Sequence, residues 1–265
     1  MLKDITIGQY FPGDSLVHEY DPKLKILTMF VYIISLFFID SFIMYIPIVI
    51  YLFLILFNAK LPVGLVLRGL KPLRLIIFVT FLINLFFTPG KPIYELGFLK
   101  ISQEGIDLAF FMGIRLILLV LGTSLLTYTT SPIELTDGIE SLLRPFRKIG
   151  VPSHEIAMMM TIALRFIPTL IEETDKIMKA QMARGADFES GNLISRAKNL
   201  VPLLVPLFIN SFRRAEELAT AMESRCYRGG DGRTKMNTSK ITSKDISIFV
   251  GNIIFFVAVI VGSKI

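Results

Sequence analysis

The chain has one cysteine, Cys226, so an intrachain disulfide is impossible. Its two histidines, His18 and His154, lie outside the apolar blocks, and neither has a second ligand at metal-binding spacing. No metal or cofactor is therefore expected in this chain. No Gly-x-Ser-x-Gly nucleophile turn occurs either. The stretch Met1 to Asp21 is polar and mixed in charge, with no apolar h-region, so a cleavable signal is not expected. Polar residues inside the apolar blocks are few. Arg115 and Asn84 are the main ones, and no inverted repeat is visible, which argues against a self-sufficient channel or secondary transporter. A membrane protease with paired glutamates would need an arginine soon after Glu172-Glu173. Lys176 and Ile177 follow instead, and the pair is read as a solvated face.

What the chain has in excess is apolar surface. Of its 265 residues 53% are hydrophobic, 22 are Phe, and the mean hydropathy is +0.63. Soluble domains usually hold about 45–50% apolar residues. The excess falls in five blocks: Ile26 to Ile39, Phe42 to Phe57, Leu73 to Phe87, Ile106 to Tyr128 and Ile246 to Gly262. With their flanks, these approach the roughly 17–25 residues a spanning helix needs. Asp40-Ser41 suits a tight hairpin between the first two, and "TPGKP" (Thr88 to Pro92) breaks the chain after the third. Lys and Arg collect before the first block, between the second and third (Lys60, Arg68, Lys71, Arg74), and across Ser131 to Asp245. By the positive-inside rule those segments are cytoplasmic, and five spans put the C-terminus outside. In this setting the net charge of +6 reflects topology rather than nucleic-acid binding.

The Ser131 to Asp245 region carries helical signals of its own. "SPIE" (Ser131 to Glu134) combines an N-cap serine, a proline at the first helical position and a capping-box glutamate. After "GVPSHE" (Gly150 to Glu155), Ile156, Met159, Met160, Ala163, Phe166, Ile167, Leu170 and Ile171 recur at three- and four-residue spacing, as on an amphipathic helix. That helix should stop near Arg184-Gly185. A second unit follows "ESGN" (Glu189 to Asn192), with an apolar stripe of Leu193, Ala197, Leu200, Val201, Leu204, Val205, Phe208 and Phe212. Its "LVPLLVPLFI" (Leu200 to Ile209) is too short to span and suits an interfacial or protein-covered segment. It turns charged at Arg213 and Arg214 and should end near Arg225. A polar linker, Gly230 to Lys240, leads to the last span. The expected architecture is an all-α integral membrane protein. A bundle of four spans covers 1–130, a cytoplasmic set of long amphipathic helices covers 131–245, and a fifth span covers 246–265.

The two long helices end alike. Ala183-Arg184-Gly185 closes one and Ser224-Arg225-Cys226 the other. Each arginine could simply complement the helix dipole and the last carbonyls. Alternatively, small neighbours let a helix end enter a groove, where a guanidinium can fork onto buried carboxylates. The two motifs, with "IGQYFPGDSLVHEYDPKLKI" (Ile7 to Ile26), "SPIELTDGIESLLRPF" (Ser131 to Phe146) and "ALRFIPTLIEETDKIMKAQMARGADF" (Ala163 to Phe188), resemble the transmembrane T component of energy-coupling factor (ECF) transporters. The second motif departs from the usual Ala-Arg-Gly, but its flanks are still small.

The resemblance implies a subunit that joins two ATP-binding-cassette ATPases to a small membrane substrate-binding S component. ATP and Mg would be bound by the ATPases, not by this chain. Ala183, Arg184, Gly185, Ser224, Arg225 and Cys226 would dock in the ATPase grooves. Met159, Phe166, Leu200, Leu204 and Phe208 would face the S component. The N-terminal segment resembles the group in which one T component serves several S components, for vitamins and other micronutrients. A surface rich in Met158, Met159, Met160, Met178 and Met182 would suit repacking against different partners, or would fill the space between the long helices.

Overall fold

A computed structural model describes residues 10–96, 99–188, 192–230 and 241–264. All but Gly230 of the linker expected from Gly230 to Lys240, most of "ESGN" and the first residues of the N-terminal motif lie outside them. Apart from turns and loops, the described residues are helical except for one short hairpin. Its elements are α1 (Leu16–Glu19), α2 (Pro22–Phe38), α3 (Tyr45–Asn58), α4 (Val63–Arg68), α5 (Arg74–Phe87), β1 (Pro92–Leu96), β2 (Leu99–Ser102), α6 (Gln103–Thr129), α7 (Pro132–Leu143), α8 (Ser153–Ala183), α9 (Leu193–Ser224) and α10 (Ser243–Gly262). The antiparallel pairing of β1 with β2, where sequence reading placed only a breaker, is an addition. The chain forms two compact units, residues 10–138 with 241–264 and residues 139–230, and the division falls within α7.

In the first unit, helix starts follow the sequence signals. Asp21 accepts from the backbone N–H groups of Lys23 and Leu24, with Pro22 at the first turn of α2. Ser131 and Glu134 form the expected reciprocal capping box at α7. Thr242 and Asp245 do the same at α10. Among the described residues, α6 (27 residues), α8 (31) and α10 (20) are long and apolar enough to cross a membrane. The helices of the other blocks are shorter: 17 residues in α2, 14 in α3 and 14 in α5. The Asp40-Ser41 hairpin and the Thr88-Pro89-Gly90 break cut them there.

The core of this unit is built on α6. Tyr32 on α2 is buried and donates to the Leu118 carbonyl at 2.6 Å. A Cβ on Gly122 would collide with the Tyr32 ring, so the approach of α2 to α6 requires glycine there. Phe256 on α10 packs edge-on against Tyr32, and Phe255 stacks on Tyr51 of α3. Outward, Phe30, Phe37, Phe53, Phe57, Phe78 and Val257 are exposed, as lipid-facing side chains would be in a bilayer.

The two polar residues that stood out inside the apolar blocks have structural partners. Arg115 is buried. Its Nε donates to the Tyr45 hydroxyl at 3.3 Å and its Nη2 to the Ile39 carbonyl at 2.9 Å. Its guanidinium carbon stands 4.7 Å from the Phe111 ring centroid. It thus clamps the turn between α2 and α3. Asn84 donates to the Thr80 carbonyl one turn back in its own helix.

Candidate coupling surface

The second unit centres on α8 and α9, which pack as an antiparallel hairpin. Their contacts climb one helix as they descend the other: Gln181 meets Pro202, and Glu173 meets Asn210 and Arg214. Pro206 has no N–H, so the Pro202 carbonyl one turn earlier loses its helical donor. Gln181 Nε2 donates to that carbonyl at 3.3 Å and offsets the loss. Asn199 Nδ2 donates to the Asp187 carbonyl at 2.6 Å, tying the connection to the start of α9.

Glu173 corrects the reading of the glutamate pair as a solvated face. Glu172 is exposed, but Glu173 is half-buried. It accepts a hydrogen bond from Asn210 Nδ2 and lies 2.9 Å from Arg214 Nη2 in an ion pair. Its side chain is 14% exposed and that of Arg214 33%, so this pair is more shielded than a surface bridge. The partners sit on another helix, which a single sequence gives no means of pairing with Glu173.

The two helix ends repeat atom for atom. At α8, the Gly185 N–H donates to the Met182 carbonyl and the Ala186 N–H to Gln181. At α9, the Cys226 N–H donates to Glu223 and the Tyr227 N–H to Met222. Both are Schellman motifs with arginine at the C-cap and a left-handed residue next, Gly185 at φ 89° and Cys226 at φ 57°. The offset that lays Arg184 on Arg225 lays every one of these bonds on its counterpart. This weakens the capping explanation for the arginines, because backbone N–H groups already take these carbonyls. Both arginines are exposed, as are their flanking residues, and neither guanidinium makes a hydrogen bond or ion pair among the described residues. The antiparallel arrangement sets them at opposite ends of the hairpin, on the order of 40 Å apart at the rise of an α-helix.

Cys226 occupies a backbone conformation that costs an L-residue roughly 1–2 kcal/mol and glycine nothing. Cys226→Gly is expected to stabilise the chain by about 0.5–1 kcal/mol, after allowing for the added freedom of the unfolded chain. Cys226→Val is expected to destabilise it. Thermal unfolding of the two detergent-solubilised variants measures both, and a less stable Cys226→Gly would contradict the shared motif.

The apolar stripe of α9 points away from α8. Leu203 is buried, while Leu200, Val201, Leu204, Val205, Phe208, Ile209 and Phe212 are exposed, Phe208 by 65%. Leu200, Leu204 and Phe208 form one row at four-residue spacing, and Phe208 meets Phe212 edge-on at 4.8 Å. Met159 is exposed on α8. Phe166 is different. It is half-buried and lines the cleft with Glu173, Asn210 and Arg214. In a membrane protein an exposed apolar face of this breadth is covered by protein or by lipid. The histidines have local roles: His18 is hydrogen-bonded to Ser15 and the Phe11 carbonyl, and His154 to Glu140.

A helical membrane protein carrying a two-ended arginine hairpin is the class defined so far. Comparison with known proteins makes it specific. Residues 13–236 match the family model CbiQ, described as cobalt transport protein. Over 247 residues the chain is 60% identical to the energy-coupling factor transporter transmembrane protein EcfT of Clostridium kluyveri, covering 92% of both chains. It is 47% identical over 255 residues to the protein of that name from Bacillus subtilis, covering 96% of both. The chain belongs to the CbiQ family, as a transmembrane T component of energy-coupling factor transporters.

Proposed function

We propose that this chain is the non-catalytic coupling subunit of an ATP-driven importer, joining two ATP-binding-cassette ATPases to a membrane S component. The observation that carries this reading is the duplicated arginine cap at the two ends of one antiparallel hairpin. Two like plugs related by a local two-fold suit two like sockets, and a pair of ATPases offers them. Each guanidinium is free to fork onto carboxylates in its groove. ATP and Mg belong to the ATPases. The N-terminus and residues 131–245 face the cytoplasm, where nucleotide is, in keeping with the distribution of Lys and Arg; α8, although long and apolar enough to span, would lie along the membrane interface.

The exposed row Leu200, Leu204 and Phe208, with Met159, is the seat of the S component. An apolar, proline-containing face of this kind tolerates partners of different shape, which supports a shared module serving several S components over a dedicated metal-uptake module. The substrate, a vitamin or other micronutrient, would be recognised by the S component. Co-purification on a tagged chain, with identification of what accompanies it, tests the assembly. A cysteine placed at Leu204 is expected to crosslink to an S component in native membranes. Efficient crosslinking to an ATPase instead would refute this assignment of the α9 face.

A further inference from the structure

Between Ser41 and Tyr94 the chain carries no acidic residue, yet it has Lys60, Arg68, Lys71, Arg74 and Lys91. Two of these, Lys71 and Arg74, line a groove of about 570 Å³ between α4, α5 and α6. Its walls are apolar: Ile77 and Phe81 on α5, Phe110, Gly113 and Ile117 on α6. The two longer helices run antiparallel along it. The Phe81 and Phe110 rings meet edge-on at 5.3 Å, and a Cβ on Gly105 would lie 3.1 Å from the Asn84 carbonyl further down. Gly113 leaves room, since a Cβ there would find only the Phe81 ring, at 4.0 Å. Lys71 and Arg74 are exposed, and neither has an ion-pair partner among the described residues. No carboxylate lines the groove.

We infer that this groove seats an anionic phospholipid of the cytoplasmic leaflet, its phosphate at Lys71 and Arg74 and an acyl chain along α5 and α6. The inference rests on the orientation proposed above, which puts the segment before α5 on the cytoplasmic side. The dimensions agree with it. From Arg74 to Phe81 the helix descends about 10 Å. A chain from one leaflet has about 15 Å, half of a ~30 Å hydrocarbon core. The charge selects the headgroup, because two uncompensated cations over an apolar slot attract a phosphodiester bearing net negative charge more than a zwitterion. A docked protein segment would have to supply both the carboxylates and the apolar filling.

The test uses the full chain purified in detergent, incubated with phosphatidylglycerol or phosphatidylcholine of identical acyl chains, and native mass spectrometry of what is retained. The chain is expected to retain phosphatidylglycerol over phosphatidylcholine by on the order of tenfold, as two interfacial cations supply. Lys71→Gln with Arg74→Gln should abolish the preference. Lys60→Gln with Lys91→Gln, which removes the same charge elsewhere, should keep it. Ile77→Trp, which fills the slot and leaves both cations, should also lose the lipid. Equal retention of the two lipids by the unaltered chain would mean annular lipid only and would overturn the inference. So would a preference that survives Lys71→Gln with Arg74→Gln, or lipid expelled whenever an S component co-purifies. Binding in detergent needs no ATPase, so its failure leaves the coupling function intact. Labelling of a Lys71→Cys variant only from outside the cell would instead strike at the orientation.

Discussion

The double variant Arg184→Ala with Arg225→Ala is expected to lose both ATPases in a pull-down and to lose coupled ATP hydrolysis. Truncating one partner of a buried, hydrogen-bonded charge pair typically costs about 2–5 kcal/mol, much of it from the charge left unpaired on the other side. Both guanidiniums lie on one rigid hairpin, so once the first is docked the second contact is intramolecular. Either single variant should therefore weaken the complex while the remaining arginine holds it, and the double variant should cost far more than either. Arg→Lys at either position should restore only part of the loss, because an ammonium cannot make the planar two-pronged contact. If the arginines served only as helix caps, each change would cost roughly 0.3–1 kcal/mol of stability and leave assembly intact. The Schellman bonds already argue against that, since they satisfy the Gln181, Met182, Met222 and Glu223 carbonyls without either side chain.

Arg115→Leu is expected to destabilise the membrane bundle by about 3 kcal/mol. The change removes charge-assisted hydrogen bonds to the Tyr45 hydroxyl and the Ile39 carbonyl and leaves that carbonyl without its donor. It also removes the stacking of the guanidinium on Phe111. Arg115→Lys should recover part of the loss, since an ammonium can still reach one oxygen. Thermal aggregation of the solubilised chain measures the effect, and the folded fraction should still bind both ATPases. This variant also separates the coupling subunit from a stand-alone transporter. A buried arginine on a substrate path would, when replaced, abolish uptake at unchanged stability. The partners of Arg115 lie at the α2–α3 turn and describe a clamp.

Most of the secondary structure could be read along the chain because its causes are local. Ser131, Pro132 and Glu134 start α7 through contacts within one turn, and Gly185 stops α8 where its left-handed backbone is needed. The second stop falls near Arg225 as expected, but its left-handed residue, Cys226, is not a glycine and carries no such signal by itself. What sequence could not supply was long-range pairing. Nothing near Glu173 announces that Asn210 and Arg214 will meet it, and a glutamate beside another glutamate looks solvated. Periodicity likewise grouped the apolar residues of α9 but could not say which of them turn toward α8. Leu203, which the stripe omits, is buried, whereas Leu204 and Phe208 are exposed. Phe166 shares the spacing of Met159 yet lies in the cleft. The β1–β2 hairpin is short and follows a proline-glycine break, so its signal merged with that of a loop.

The central claim is that one hairpin engages two ATPases, one at each end. A photoreactive residue placed at position 184 or at position 225 of the intact complex tests it directly, with the crosslinked subunits identified by mass spectrometry. Position 184 is expected to capture one ATPase and position 225 the other, with no product joining either to the S component. Capture of a single ATPase by both positions, or of the S component by either, would contradict it.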